Sequence, residues 1–551
     1  MSLVEVTDLT VEFGTERAVD GLSLRLEKGA ALGLVGESGS GKSTVASALL
    51  GLHRGTGARV GGTVKVAGTD VQEASDDELR RLRGGKAAMV FQDPLSSLDP
   101  YYAVGDQIAE VYRVHTRASR RAARARAVDV LDRVGIADAA RRARSRPHEF
   151  SGGMRQRALI AMALACEPDL LIADEPTTAL DVTVQAQILD LLHTLREETG
   201  MGLLLVTHDV GVAAESVDDV LVMRHGRAVE HGAAATLLGA PEQAYTRELL
   251  GAVPRVDVPR ATAGAGAEPA EAVLEAEAVL EAEVVLEAEV VLEAAGVRRE
   301  FGRGKRAFAA VDDVSVEIRR GETLGIVGES GSGKTTLGRM LVGLLEPTAG
   351  EVRHDGRVLS GVNPAVQMVF QDPVSSLNPR RGVGESIADP LRARGERDEG
   401  RIRERVGELL ERVGLDPAHY DRYPHEFSGG QRQRVGIARA LAADPRAIVC
   451  DEPVSALDVT TQAQVIALLG ELQRELGLAL VFVAHDLAVV RQVSDRVAVM
   501  RRGRIVEYGP ADEVYESPRH PYTKQLLAAV PAPDPAVAAE RRSARRELAS
   551  A

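Results

Sequence analysis

The chain has 551 residues, a formal net charge of −14 and 44% hydrophobic residues. This length allows two or three domains, and the apolar content lets each domain bury a core. The acidic balance argues against general affinity for nucleic acids. Two cysteines, Cys166 and Cys450, provide neither a disulfide framework nor a cluster with metal-ligand spacing, which favours a reducing cytoplasm. No apolar run approaches the ~18–20 residues of a membrane-spanning helix, and the N-terminal residues predict a strand, not a signal peptide.

Residues 3–26 alternate apolar and polar side chains and predict an antiparallel β region. An apolar run at residues 30–35 follows, then the stretch G-E-S-G-S-G-K-S-T at residues 36–44, then a second apolar run at residues 45–50. This order predicts a strand, a glycine-rich loop and a helix. The loop fits the phosphate-binding pattern G-x-x-x-x-G-K-[ST].

The residue types in this loop suit phosphate groups. Glycines let backbone N–H groups turn inward around anionic oxygens, and the following helix adds a partial positive charge at its N-terminus. Lys42 supplies a full charge, and the Ser43 hydroxyl can ligate Mg²⁺. The predicted nucleotide-binding residues are Gly36, Glu37, Ser38, Gly39, Ser40, Gly41, Lys42, Ser43 and Thr44.

The same loop recurs at residues 328–336, again after an apolar run at residues 323–327. The repeat is far longer than a solenoid unit, so it predicts two copies of one domain. The corresponding residues are Gly328, Glu329, Ser330, Gly331, Ser332, Gly333, Lys334, Thr335 and Thr336.

One aromatic side chain precedes each loop, Phe13 in the first half and Phe301 in the second. Such a ring could stack on a base. A core or edge aromatic explains the spacing equally well, so both interpretations stay open.

A glutamine leaves a short apolar strand in each half, Gln92 and Gln371, in the shared context F-Q-D-P. Beside a Mg-nucleotide site, this side chain could ligate the metal. The duplicated context favours that role over an ordinary strand-end residue. The stretch that follows the first glutamine, residues 101–146, predicts arginine-rich helices, whose basic run we interpret as a solvated face and not as a nucleic-acid site.

Each half then has a Ser-Gly-Gly turn that opens an alanine- and leucine-rich helix. Free N–H groups, the helix dipole and a hydroxyl make this turn a second anion site, although a single copy could be a plain helix cap. The residues concerned are Ser151, Gly152, Gly153, Ser428, Gly429, Gly430 and Gln431.

An apolar strand in each half ends in paired acids, Asp174-Glu175 and Asp451-Glu452. The aspartate fits a carboxylate near Mg²⁺, and the glutamate fits a group that polarises water. A further apolar strand ends at His208 in one half and His485 in the other. In both halves 23 residues separate the serine from the aspartate and 34 separate the aspartate from the histidine, and such matched spacing indicates function.

Together these motifs resemble those of ATP-binding-cassette (ABC) ATPases, with two cassettes fused in one polypeptide. The resemblance implies an α/β fold of two tandem P-loop NTPase domains, each with a RecA-like core, an antiparallel β region and an inserted helical subdomain. Three stretches narrow the resemblance to the peptide and nickel importers: residues 146–150, 423–427 and 517–524. Residues 517–524 resemble the His-Pro-Tyr motif of oligopeptide importers. Residues 241–247 keep a worn copy of that motif, and Met154 departs from the glutamine of the common signature.

The resemblance also implies roles for residues. Two ATP molecules would lie between the cassettes of an intramolecular dimer, with Lys42 facing Ser428 and Lys334 facing Ser151. Glu175 and Glu452 would act as general bases, while His208 and His485 would hold the γ-phosphate and the water. The implied Mg²⁺ ligands are Ser43, Gln92, Asp174, Thr335, Gln371 and Asp451.

A peptide importer of this kind implies partners: two permease subunits and an extracytoplasmic solute-binding protein, with no nucleic acid. The chain would be peripheral, at the cytoplasmic face of the cell membrane. The alternative is a soluble twin-cassette factor that acts on ribosomes. Such factors carry a long, highly charged helical linker, whereas the linker here is short and acidic, which would repel RNA.

The predicted domains are cassette one at residues 1–254, a linker at 255–290, cassette two at 291–531 and a disordered tail at 532–551. Four six-residue units of the type E-[AV]-V-L-E-A fill residues 271–294. Six is not a helical period, so we interpret the earlier units as copies of a strand start that form a spacer. The last unit aligns with the first strand of cassette one.

Overall fold

The computed structural model describes residues 2–178, 180–258, 289–302, 307–372, 376–455 and 457–550. These form two compact units. The first contains Met1–Val253, Asp458–Thr460 and Pro531–Ala551, and the second contains Pro254–Leu457 and Thr461–Val530. Most of the predicted linker, residues 259–288, lies outside the described residues. None of the helices in the described ranges is long and apolar enough to cross a membrane.

Among its described residues, the N-terminal part of the first unit contains ten strands and eleven α-helices. The strands are β1 (Ser2–Phe13), β2 (Glu16–Glu27), β3 (Ala31–Val35), β4 (Arg59–Val66), β5 (Thr69–Asp70), β6 (Ala87–Val90), β7 (Leu170–Asp174), β8 (Gly202–Thr207), β9 (Asp219–Arg224) and β10 (Arg227–Ala233). The helices are α1 (Lys42–Leu49), α2 (Asp76–Leu82), α3 (Pro94–Ser97), α4 (Val104–Thr116), α5 (Arg120–Arg133), α6 (Ala139–Arg142), α7 (Gly152–Leu164), α8 (Val182–Thr199), α9 (Val210–Ser216), α10 (Ala234–Gly239) and α11 (Ala244–Gly251).

Two sheets organise this unit. The antiparallel sheet has the strand order β2-β1-β4-β5, and the larger sheet has the order β10-β9-β3-β8-β7-β6. Strand β3 pairs in parallel with β8 and β9. Every residue of β3, β7 and β8 is buried, as expected for central parallel strands covered on both faces. The carboxyl ends of these three strands therefore place the phosphate loop, the paired acids and the histidine at one sheet edge.

Helices α4 to α7 form the predicted helical insertion between β6 and β7. Ser119 caps α5, and Ala123, Ala127 and Leu131 bury one face of that helix. Its arginines at positions 120, 121 and 124 are exposed. This placement agrees with the interpretation of the basic run as a solvated face.

The second unit repeats this plan. Its strands are β11 (Val290–Phe301), β12 (Phe308–Arg319), β13 (Thr323–Val327), β14 (Ala349–His354), β15 (Arg357–Val358), β16 (Val366–Val369), β17 (Ala447–Asp451), β18 (Ala479–Val483), β19 (Arg496–Arg501) and β20 (Arg504–Pro510). Its helices are α12 (Lys334–Leu341), α13 (Val383–Ala393), α14 (Glu399–Arg412), α15 (Gly429–Leu441), α16 (Val459–Leu476), α17 (Leu487–Val493), α18 (Ala511–Glu516) and α19 (Pro521–Ala529). The sheets have the orders β12-β11-β14-β15 and β16-β17-β18-β13-β19-β20.

The last six-residue repeat of the linker is part of strand β11. Leu292 in that repeat pairs with Ile318 of β12, as Val4 of β1 pairs with Leu26 of β2. The repeat thus supplies the first strand of cassette two, in the register that the alignment predicts.

The C-terminal segment is a helix, α20 (Pro535–Ser550), where the sequence predicted a disordered tail. This helix packs on α9 and α10 of the first unit. Arg545 pairs with Glu215 and also with Asp190, at 3.1 Å, and Arg542 donates to the backbone carbonyl of Glu215. The prediction was wrong because the partner of these arginines, Glu215, lies 330 residues earlier in the chain than Arg545.

Candidate active site

The first phosphate loop joins β3 to α1. Gly36 has φ of 157°, and a Cβ there would lie 2.3 Å from the carbonyl oxygen of Met223. Gly41 has φ of 97°, and its Cβ would lie 2.4 Å from the carbonyl oxygen of Ala18. Only glycine fits these two close approaches, so the glycine pattern is set by the path of the backbone.

Lys42 is buried in this loop and faces inward. Its Nζ donates to the carbonyl oxygens of Gly36 at 2.8 Å and Glu37 at 2.7 Å. Burial lowers the pKa of Lys42, although the Glu175 and Asp174 carboxylates oppose that effect. The ammonium group therefore lies within the loop that should receive the phosphates.

Ser43 and Asp174 meet across the sheet edge. The Ser43 hydroxyl donates to Oδ1 of Asp174 at 3.0 Å. Burial raises the pKa of Asp174, and the Ser43 hydroxyl opposes the shift. A hydroxyl and a carboxylate oxygen side by side are hard donors of the kind that Mg²⁺ takes in small number beside substrate phosphates, so the residues present fit this metal.

Glu175 stands on a strained turn. Its φ is 47°, in the left-handed region that non-glycine residues avoid, and its N–H donates to the carbonyl oxygen of Val206 at 2.8 Å. Such conformations cost about 1–3 kcal/mol and cluster at functional sites. Glu452 has the same turn, with φ of 46° and a 2.8 Å bond to Val483. Nothing in the residue pattern around either glutamate indicates this backbone conformation.

Three side chains hold the Glu175 carboxylate. The Gln92 amide donates to Oε2 at 2.7 Å, the Thr178 hydroxyl donates to Oε2 at 2.9 Å, and Nδ1 of His208 lies 3.1 Å from Oε1. Gln92, predicted as a metal ligand, thus contacts the predicted base in this structure. Thr178 is a site residue that the sequence analysis missed.

These contacts shift the pKa values of Glu175 and His208 in opposite directions. Burial works to raise the pKa of Glu175, but the hydrogen bond and charge of His208, with Thr178 and Lys42, lower it overall. The hydrogen bond to Glu175 raises the pKa of His208 against the effect of burial. A carboxylate that stays ionised below neutral pH can accept a proton from water at neutral pH.

The second unit repeats these contacts at the corresponding residues. Lys334 donates to the carbonyl oxygens of Gly328 at 2.6 Å and Glu329 at 3.0 Å. The Thr335 hydroxyl donates to Asp451 at 3.0 Å. The structure also brings together the predicted base, glutamine and histidine, since Glu452 lies 2.7 Å from Nε2 of Gln371 and 3.3 Å from Nδ1 of His485.

The pKa shifts of the second unit have the same directions as those of the first. Burial raises the pKa of Asp451. Burial would raise the pKa of Glu452, but the hydrogen bond to His485 lowers it overall. Burial opposes the rise in the pKa of His485, and Glu452 raises it overall.

The serines of the two Ser-Gly-Gly turns, which correspond to the signature motif of the family, cap helices of the two insertions. Ser151 accepts the N–H of Met154 at 3.3 Å at the start of α7, and Ser428 accepts the N–H of Gln431 at 3.3 Å at the start of α15. Only the second turn is a reciprocal capping box, because the Gln431 side chain accepts the Ser428 N–H at 3.0 Å. Both turns lie in the helical insertions, not at the sheet edge with the phosphate loops.

The two predicted base-stacking aromatics lie at strand ends. Phe13 is 41% exposed and contacts His53 edge-on, with ring centroids 5.5 Å apart. Phe301 lies under the Arg299 guanidinium at 5.1 Å and 6.0 Å from Phe308. Base stacking by these rings stays a prediction.

Comparison with known proteins gives the same family as the motifs. Residues 19–178 and 311–455 match the family described as ABC transporter. Residues 229–276 and 506–550 match the family described as oligopeptide/dipeptide transporter, C-terminal region. This second match covers both the His-Pro-Tyr motif and its worn copy.

Characterised relatives match the full length of the chain. It is 47% identical over 576 residues to the glutathione import ATP-binding protein of Salmonella choleraesuis, covering 100% of this chain and 92% of that protein. It is 47% identical over 565 residues to the protein of that name in Escherichia coli O6:H1, covering 97% of this chain and 90% of that protein. A solved structure of cbiO1 from Clostridium perfringens, part of the ABC transporter complex cbiONQ, is 29% identical and covers 42% of this chain and 92% of its own, with a TM-score of 0.38.

The duplicated phosphate loops, paired acids and histidines, the two family matches and the full-length relatives agree. This chain belongs to the ABC transporter family, as a twin-cassette ATPase and the ATP-binding subunit of an importer of the oligopeptide group.

Proposed function

We propose that this chain powers the uptake of glutathione or a related short peptide through separate permease subunits. The observation that carries the proposal is the 47% identity, over the whole chain, to proteins named for glutathione import. The duplicated C-terminal region of oligopeptide and dipeptide transporters supports the same class of solute.

In the proposed mechanism, ATP enters each phosphate loop and its phosphates take the Lys42 or Lys334 ammonium group as a partner. In the ATP-bound state each nucleotide also contacts the signature turn of the other cassette, so that Ser428 completes the first site and Ser151 completes the second. The capped helix N-termini support this role, because their N–H groups and dipoles favour an anion.

Hydrolysis then depends on positioning and charge. Glu175 and Glu452 accept a proton from the attacking water, and His208 and His485 orient each base and contact the γ-phosphate. Asp174 with Ser43, and Asp451 with Thr335, would hold Mg²⁺, with Gln92 and Gln371 joining when they leave the glutamates. When bound, this metal neutralises charge on the β- and γ-phosphate oxygens.

A groove of about 410 Å³ in the second unit suits a permease segment. It lies between the strand that leads to Gln371 and the helical insertion, and Val366, Met368 and Phe370 give it an apolar wall. We propose that a short permease helix binds there, which would place the chain at the cytoplasmic face of the membrane. A solute-binding protein outside the membrane completes the system. The ribosomal alternative is not favoured, because the full-length relatives are named as import proteins.

Solute uptake in a strain that lacks this gene tests the proposal. Labelled glutathione and a labelled pentapeptide are supplied separately, and the strain is complemented with the wild-type chain or with the Glu175→Gln/Glu452→Gln variant. We expect the wild-type chain to restore glutathione uptake and the double variant not to restore it. Restored pentapeptide uptake without glutathione uptake would reject the solute, and co-sedimentation with ribosomes in place of membranes would reject transport.

A further inference from the structure

The His-Pro-Tyr motif touches the ATP site of its own cassette. Tyr522 lies in α19 and is 2% exposed. Its hydroxyl accepts the backbone N–H of Glu329 at 3.1 Å, and Glu329 is the second residue of the phosphate loop. Burial raises the pKa of Tyr522 to about 12, so the group is a neutral hydroxyl under physiological conditions.

The other two residues of the motif hold this tyrosine in place. His520 caps α19, with Nδ1 accepting the N–H of Tyr522 at 3.1 Å, and Pro521 occupies the first turn. Glu507 of β20 accepts the N–H groups of Arg519 at 2.7 Å and His520 at 3.1 Å. The start of α19 is therefore fixed to the sheet from which the loop emerges.

A cation fixes the ring from the other side. The Arg501 guanidinium lies 4.6 Å from the centroid of the Tyr522 ring. Arg501 follows Met500, whose carbonyl oxygen would lie 2.2 Å from a Cβ on Gly328, the first residue of the loop. Tyrosine, arginine and the loop thus form one packed group.

The first cassette has a partial copy of the His-Pro-Tyr motif. This copy keeps the tyrosine, and it keeps the arginine and glutamate that hold the tyrosine in place, but it lacks the histidine. The Arg224 guanidinium lies 4.4 Å from the centroid of the Tyr245 ring, and Glu230 accepts the N–H groups of Glu242 at 2.8 Å and Gln243 at 3.2 Å. Fifteen residues separate the glutamate from the tyrosine in both cassettes. The Tyr245 hydroxyl is buried beside Glu37, but without a hydrogen bond of normal geometry.

We propose that Tyr522 is a positioning residue for the second ATP site: it fixes the Glu329 peptide so that the remaining loop N–H groups are preset for phosphate. Tyr245 has the same place in the first site with a looser contact. This inference goes beyond the proposed solute and rests only on ATP binding and hydrolysis.

The test compares Tyr522→Phe with Tyr515→Phe in the full chain. Phenylalanine keeps the ring and the arginine contact and removes only the hydroxyl. Tyr515 is a matched control, since it is 8% exposed, lies in the same C-terminal region and donates its hydroxyl at 2.6 Å to the carbonyl oxygen of Leu487, which is not a residue of the phosphate loop. Steady-state ATPase measurements give KM and kcat, and thermal unfolding gives Tm. The Lys42→Ala background confines the KM measurement to the second site.

We expect Tyr522→Phe to raise KM for ATP about two- to tenfold, the size of one neutral hydrogen bond, with kcat changed less than twofold. Tyr515→Phe should lower Tm without changing KM, and Tyr245→Phe, in the Lys334→Ala background, should change KM less than Tyr522→Phe does. His520→Ala should reproduce part of the KM effect, and His520→Asn, which can still cap the helix, should reverse it. An unchanged KM in Tyr522→Phe, or an equal KM shift in Tyr515→Phe, would overturn the proposal.

Discussion

Among the described residues, the Glu175 carboxylate of the first cassette accepts three side-chain contacts, from Gln92, Thr178 and His208, whereas Glu452 of the second accepts two, from Gln371 and His485. The serine at the position of Thr178, Ser455, donates to the Glu452 backbone carbonyl at 3.2 Å instead. The glutamine and histidine contacts are thus repeated in both cassettes, and the hydroxyl contact is found in the first alone among the described residues.

Other contacts around the two sites also differ, some being present in the first cassette and others in the second. The second cassette has the reciprocal cap of Gln431 and the hydroxyl bond of Tyr522, while the first has Met154 and a looser Tyr245. The first unit alone includes the C-terminal helix α20. The geometry of the proposed catalytic groups is therefore the same in both cassettes, while the packing around these groups differs.

The largest test removes the two bases. Glutamine cannot accept a proton, and general base catalysis is worth about 10²–10⁴-fold. We expect Glu175→Gln/Glu452→Gln to bind ATP and to lower kcat at least ~100-fold, measured by phosphate release at saturating ATP. The two single variants should show equal losses, because the catalytic contacts match. Wild-type turnover in the double variant would reject the assigned bases, and unequal single variants would show that the cassettes divide their work.

The second test targets α20, a helix that belongs to the first unit and that has no counterpart among the described residues of the second. Glu215 and Arg545 are 2% and 10% exposed, and burial raises the pKa of Glu215 in spite of Arg545 and Arg542. Removing one partner of a buried pair costs about 3–5 kcal/mol. We therefore expect Arg545→Ala to destabilise the first cassette selectively, measured by hydrogen exchange in α9. The exposed pair Arg504–Asp312 of the second cassette supplies the control, since Arg504→Ala should change exchange little. Equal exchange in both variants would contradict the packing of α20.

The third test removes the Thr178 hydroxyl, so that Glu175 keeps only the glutamine and histidine contacts that Glu452 also has. The pKa of Glu175 is lowered, so the carboxylate is ionised above that pKa, and we expect activity to be lost as the pH falls through it. Thr178→Val removes a donor to the ionised form, which raises the pKa, so the acid loss of activity should begin at higher pH. The effect at pH 7 should be below about threefold, because one exposed hydrogen bond contributes little. The Glu452→Gln background isolates this site, and Ser455→Ala in the Glu175→Gln background should leave the acid limb unmoved. A shift toward lower pH in Thr178→Val would contradict the assignment.

The test with the smallest expected effect exchanges the residues at positions 154 and 431, which follow the capping serines of α7 and α15. Met154→Gln can add the reciprocal bond to Ser151, and Gln431→Met removes it from Ser428. Each change is worth about 0.5–1 kcal/mol of local stability, with opposite signs, measured by hydrogen exchange in the first turns of α7 and α15. Parallel changes in the two variants would show that the cap bond is not the cause.

Much of this architecture could be predicted from the sequence. The duplicated loops, acids and histidines fixed the number of cassettes, and apolar runs before each motif placed the sites at the ends of buried strands. The positive φ of Glu175, the Thr178 contact and the bond from Glu329 to Tyr522 could not be predicted, because they depend on backbone path and on packing between distant segments. The helix α20 was missed for the same reason, since the partners of Arg545, Glu215 and Asp190, lie 330 and 355 residues earlier in the chain.

The placement of α20 has a consequence for biosynthesis. The residues that complete the first cassette leave the ribosome after the whole second cassette, although domains generally fold as they emerge, N-terminal first. Until Arg545 is synthesised, Glu215 has no guanidinium beside it and the surface of α9 is uncovered. A chain truncated before α20 would therefore lack these contacts in its earliest-made half, although the residues of that half are all present.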